Sequence, residues 1–231
     1  RIENVHFNPH YWPRSGHPGV PGNAQPNPDI AVGIYMQNHL EAFIFGRSDW
    51  QYVTNTFVFG AKVGYKFIHT GSGECNGQFL GIAADACQYC VIIEQTQPWG
   101  LLITNGEFVC VKLATQADDR VGILTTPSFT GTVNLTNCSF WGDFTNVMRC
   151  EGDGFVTLSQ GNIIGGQPDM PVLDFQSGRV AVDKTLFKSA SKYHVRAGEN
   201  IIRAVVTDNF AAGGIKIDNR AGDKTILRDN E

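Results

Sequence analysis

Leu101-Leu102-Ile103-Thr104-Asn105-Gly106-Glu107-Phe108-Val109 reads as a short apolar strand, a polar kink and a second strand. The phrase returns as Glu3-Asn4-Val5-His6-Phe7, Thr54-Asn55-Thr56-Phe57-Val58-Phe59 and Thr136-Asn137-Cys138-Ser139-Phe140. Weaker copies stand at Gln160-Gly161-Asn162-Ile163-Ile164, Asp183-Lys184-Thr185-Leu186-Phe187 and Thr207-Asp208-Asn209-Phe210. With Asn4, Asn55, Asn105, Asn137, Gly161, Lys184 and Asp208 as markers, the intervals are 51, 50, 32, 24, 23 and 24 residues. The last three are near equal and the first two are about twice as long. A recurring period of this size marks a solenoid.

Short β-rich runs broken by Asn, Gly or Asp fill each unit, and no long segment carries the apolar stripe of an amphipathic helix. The expected fold is therefore all-β, with coils stacked one strand spacing apart, ~4.8 Å. Apolar side chains then form internal stacks. Asn suits the kinks because it tolerates the left-handed region and can bond a stacked copy of itself. A β-sandwich is the competing architecture, but it gives no reason for the even spacing.

The repeated Asn-x-x-Phe phrase, the stretch from Gly46-Arg47-Ser48-Asp49-Trp50 to Phe67, and the stretch from Asn76-Gly77-Gln78-Phe79 to Val109 resemble the pectin lyase-like superfamily. That group includes pectate lyases, polygalacturonases, other glycoside hydrolases and phage tailspikes. The resemblance covers nearly the whole chain as a fold. It implies one single-stranded right-handed parallel β-helix over residues 1–231, an extracellular or periplasmic setting, and a polysaccharide or oligosaccharide partner. Asp118-Asp119 is similar to the paired aspartates of polygalacturonases. However, their Asn-Thr-Asp, Gly-His-Gly and Arg-Ile-Lys motifs are missing here, as are the calcium-binding aspartates of pectate lyases. The mechanism of neither family is carried over.

A net charge of -4 and a pI near 5.9 speak against phosphate-backbone binding, so no nucleic-acid partner is expected. No run approaches the ~20 apolar residues that span a bilayer, so no membrane partner is expected either. The chain opens inside a strand phrase at Arg1-Ile2-Glu3-Asn4, without the polar cap that a solenoid end needs. The expectation is a portion of a longer protein. Cys87-Gln88-Tyr89-Cys90 has the spacing of half a zinc or redox site, but no second half follows. The six cysteines read as buried core thiols, with room for one disulfide, and neither a metal nor a cofactor is expected.

Residues 8–30 form an inserted Pro-rich loop holding Pro9, Pro13, Pro18, Pro21, Pro26 and Pro28. Its Tyr11 and Trp12 can stack on a sugar ring, or they simply pack the loop onto the solenoid. A short helix is expected over Ala31 to Leu40. Loops and unusual residues gather in the first half, which places the functional face there. Cleavage of a sugar chain calls for paired carboxyls, or for a base and a cation beside a uronate. Asp49, set beside Arg47, Trp50 and Tyr52, is the leading acid. Glu107 is the second, because strand alternation turns it outward while Phe108 points in. Asp85, Glu94, Asp118 and Asp119 are further acids, each also readable as a solvated turn. The expected site comprises Asp49 and Glu107 as catalytic acids, with Tyr11, Trp12, Arg47, Trp50 and Trp99 holding the glycan. The expected activity is that of a glycoside hydrolase or polysaccharide lyase. The alternative is a non-catalytic β-helix module, tailspike-like or adhesin-like, acting as a homo-oligomer.

Overall fold

Each unit carries three short extended runs, and in the computed structural model these stack, coil on coil, into three parallel sheets. The structure describes residues 1–8, 10–20, 28–111 and 118–231. The first sheet runs Ile2–Glu3, Ser48–Thr54, Cys75–Leu80, Leu101–Thr104, Thr132–Thr136 and Phe155–Ser159. The second begins with His6–Phe7, Phe57–Phe59, Ala83–Asp85, Glu107–Cys110 and Ser139–Gly142. The third begins with Glu41–Phe45, Val63–Phe67, Tyr89–Ile93, Val121–Thr125 and Asn146–Cys150. Two long strands, Leu173–Asp183 and Val195–Thr207, pass through a corner and so belong to both the third sheet and the first. The whole is an all-β, single-stranded parallel β-helix of about eight coils.

The corner between the first and second sheets is made by one residue per coil in the left-handed region. Asn4, Asn55, Asn105, Asn137, Gln160, Lys184 and Asp208 all take it, with φ between 51° and 58°. Gly81 takes it too, at φ 61°. A single such residue turns the strand without a loop, and Asn accepts the conformation more readily than most L-residues. The Asn137 Nδ2 donates to Asn105 Oδ1 at 2.7 Å, so the ladder bonds along the stack at that step.

These corners correct the spacing read from the sequence. The interval of 50 residues is two coils, because Gly81 is the corner between Asn55 and Asn105. The interval of 51 is one coil interrupted by residues 8–40, not two coils. In the fifth phrase Gln160 is the corner, rather than Gly161, which sits inside against Thr185 and Leu158.

Inward side chains form continuous stacks. Val53, Phe79, Ile103, Leu135 and Leu158 lie in register on the first sheet, all fully buried. On the third, Phe43 stacks on Tyr65 at 5.1 Å and Phe45 on Phe67 at 5.1 Å. Phe108 stacks on Phe140 at 5.4 Å on the second. All six cysteines are buried and free, so the disulfide that the sequence left open does not form.

The Pro-rich insertion holds a helical turn, Tyr11–Arg14, where its prolines had indicated irregular chain. Pro13 lies in the first turn, where an N–H has no helical partner to lose. The following helix spans Pro28–His39 and starts earlier than the expected Ala31, because proline suits a first helical position. It is tied to the solenoid by the buried Gln37, whose Nε2 donates to the Ala86 carbonyl at 2.8 Å. Residues 9 and 21–27 of the insertion lie outside the described residues.

Candidate functional site

Strand Ser48–Thr54 carries one residue more than its neighbour requires. Ser48 pairs with Cys75 but Gln51 pairs with Gly77, so the extra residue is absorbed in a β-bulge. Trp50 lies in that bulge with φ 55°, a conformation that a bulky L-residue rarely takes. A buried side chain holds it there: Asn76 Oδ1 accepts from the Trp50 amide at 2.9 Å. Asn76 Nδ2 in turn donates to Gln97 Oε1 at 2.7 Å, and Gln97 Nε2 donates to Asp49 Oδ1 at 2.7 Å and to the Glu74 carbonyl at 2.8 Å. Arg47 closes the chain by donating to Asp49 Oδ2 at 2.7 Å.

The result is an indole left 71% exposed on a folded strand. Trp99, 74% exposed, stands before Gly100, whose amide closes a turn onto the Gln97 carbonyl at 2.9 Å. Register puts the Trp99 coil two steps from the Trp50 coil, with Asn76 and Gly77 between them. Two strand spacings amount to ~10 Å along the axis. The two indoles flank a narrow cleft of about 60 Å³ that Asn76, Gly77, Gln78, Gly100 and Leu102 complete. Gly77 leaves no room for a side chain, since a Cβ there would sit 2.1 Å from the Gln51 carbonyl oxygen.

Arg47, Asp49, Trp50 and Trp99 are thus brought together at one end of the first sheet. Asp49 is held below the usual carboxylate range, first by the Gln97 hydrogen bond and then by Arg47. It is an ionised acceptor with both oxygens engaged, which suits positioning better than proton donation.

Of the other expected residues, Glu107 lies on the second sheet, and Tyr11 and Trp12 lie in the helical turn of the insertion beside it. Tyr11 meets the His6 ring edge-on at 5.3 Å, and His6 in turn packs on Phe57 at 4.6 Å. Tyr11 and Trp12 are 58% and 51% exposed, so the insertion presents aromatics to solvent there. Glu107 aligns with Ala83 and Ser139 on the same sheet, and its Oε1 accepts from the Trp141 indole at 3.0 Å. Asp49 and Glu107 therefore occupy different sheets and form no carboxylate pair. Glu107 has another acid beside it: Asp85, two places along the preceding strand, is pushed upward by burial and by the Glu107 charge. Diagonal neighbours of this kind are ~7–8 Å apart.

Asp119 is occupied structurally. Arg149 grips both of its oxygens at 2.8 Å, Tyr89 donates at 3.0 Å, and its carboxyl is held low, chiefly by Arg149. Among the described residues no group of three or more His, Cys, Asp or Glu could hold a metal ion. Sequence reasoning missed Asn76 and Gln97, because a buried amide relay has no local signature, and it missed Trp141 for want of the register. No family model, curated protein or solved structure matches the chain.

Proposed function

We propose that this chain is a carbohydrate-binding β-helix that lays a polysaccharide across its first sheet, gripped by Trp50 and Trp99, in an extracellular or periplasmic setting. The observation that carries this reading is the backbone of Trp50. A left-handed tryptophan costs of order 1–2 kcal/mol, which a glycine at the bulge would save. The fold gains nothing from an indole standing 71% exposed, so the strain is better explained by a ligand that uses it. Sugar rings fit such a surface, because their C–H faces cover an indole while their hydroxyls reach the exposed amide of Gln78.

Affinity electrophoresis on a panel of soluble polysaccharides tests the reading. Trp50→Ala and Trp99→Ala are each expected to abolish most of the retardation by whichever glycan binds. Unchanged retardation in both variants would sink the proposal.

A second reading, cleavage by acid–base chemistry, draws on Asp85 and Glu107. A carboxyl whose pKa burial raises, beside a second carboxyl, is an arrangement that hydrolysis of a glycosidic bond can use, and Trp141 offers an adjacent platform. It predicts release of reducing ends, or of unsaturated ends for a lyase, that Asp85→Asn and Glu107→Gln each suppress. Turnover that persists in both variants would rule this pair out. The resemblance to the pectin lyase-like superfamily supports this reading only at the level of fold analogy.

A further inference from the structure

The face that continues from the Trp50–Trp99 cleft has a chemical character of its own. Its central outward column, in register from coil to coil, is Tyr52, Gln78, Leu102, Asn134 and Thr157. The next outward column runs from Thr54 through Leu80, Thr104 and Thr136 to Ser159. Neither column holds a charged side chain across five coils. Leu80 and Leu102 are 45% and 44% exposed, while Thr157 donates to Asn134 Oδ1 at 2.9 Å. Charges appear at the rims and on the flanking strands: Arg1 with Glu3, which pairs with Thr54, Arg47 with Asp49, and Asp183 and Arg179 on the next strand.

The third sheet becomes the opposite in its later coils. Its outward column begins Ile44, Lys66, Ile92 and Leu124 and continues in register as Arg149, Asp174, Arg196 and Asp218, with Arg196 Nε donating to Asp218 at 3.1 Å. The chain thus has charged residues to spend on a sheet face, and the first sheet carries none of them in these two columns.

Resting on the reading of the tryptophan cleft as a glycan site, we infer that its ligand is a neutral polysaccharide, not a polyuronate or a sulfated chain. An acidic polymer would bring a carboxylate or sulfate to every unit, and the two columns have no cation to pair with it. Removing such groups from water without a partner is unfavourable. The arginine at the cleft end, Arg47, is engaged by Asp49, and a net charge of -4 opposes polyanions further. Neutral sugars need only hydroxyl, amide and apolar partners, and these are what the two columns supply.

The test is affinity electrophoresis of the full chain through gels containing hydroxyethyl cellulose, xylan or polygalacturonate, at low and at high salt. The expected result is retardation by a neutral polymer, weakened about tenfold or more in Trp99→Ala, with none by polygalacturonate. Because the ligand is neutral, retardation should change less than about twofold with salt. Leu102→Lys, on the exposed column, is expected to weaken the neutral interaction and to create a salt-sensitive one with polygalacturonate. If polygalacturonate retards the unmodified chain and Trp99→Ala removes that effect, the neutral class is wrong while the cleft reading stands. Retardation that is insensitive to both tryptophans, or absent from every gel, overturns both.

Discussion

Replacing Gly77 by alanine tests whether the cleft floor is as tight as its geometry implies. Gly77 has φ 153°, and an added Cβ would lie 2.1 Å from the Gln51 oxygen, 2.7 Å from its nitrogen and 2.8 Å from its carbonyl carbon. All three are backbone atoms of a parallel neighbour, so no side-chain rotation relieves the overlap. Gly213 provides the control, with φ 85° and nothing within 4 Å of an added methyl group. Alanine there carries only the conformational cost, about 1–2 kcal/mol. At Gly77 overpacking adds about 1–3 kcal/mol, for a total of about 2–5 kcal/mol. The bulge at Trp50 is the adjoining irregularity, so the displacement should run into it and spoil glycan retardation as well. Urea unfolding at 25 °C, followed by circular dichroism, measures both variants against the parent at constant m. The reasoning fails if Gly77→Ala loses no more stability than Gly213→Ala.

Stability should also fall in two steps on acidification, as urea midpoints measured across pH would show. His194 is buried against Phe187, and its Nδ1 accepts from the Lys216 amide at 3.1 Å. Burial holds its pKa below 6.5, so the folded chain binds fewer protons than the unfolded one; this contribution is complete above 6.5 and is lost as pH falls from there through the folded value. His194→Gln should remove that step, and a slope that survives in the variant would contradict the assignment. Asp119, whose carboxyl Arg149 holds low, contributes fully above 3.8, and this contribution is lost as pH falls below that point, so Asp119→Asn should flatten the lower step only. The thiols give a third prediction. Burial pushes Cys75 and Cys150 up to about 12 and Cys138 up to about 11, while Cys90 and Cys110 lie with Sγ atoms 3.8 Å apart and no exposure. An aromatic disulfide reagent should label no cysteine in the folded chain and all six after unfolding in urea; labelling of the folded chain would contradict the packing.

Much of the fold was legible because its signals are local. Asn4, Asn55, Asn105 and Asn137 announce left-handed corners, and the alternation around Phe108 and Phe140 announces which side chains enter the core. Gly81 escaped notice because a glycine takes the same corner without an Asn-x-x-Phe phrase around it. The candidate site was legible only in part. Arg47, Asp49 and Trp50 are near neighbours in sequence, and their mixture of charge and aromatic surface stands out. Their link to Trp99 is invisible there, because it runs through Asn76 and Gln97, 26 and 48 residues from their respective partners Trp50 and Asp49.

The sequence by itself determined the coil. Left-handed tolerance and strand alternation are properties of a residue and its nearest neighbours, so they survive in any reading of the chain. Tertiary structure decided which coils meet. Insertions of unequal length set the register, and the register placed Asp49 and Glu107 on separate sheets, Glu107 beside Asp85, and Trp50 across a glycine floor from Trp99. Hydrogen-bond pairing between coils is non-local, and no spacing of residues along the chain encodes it directly.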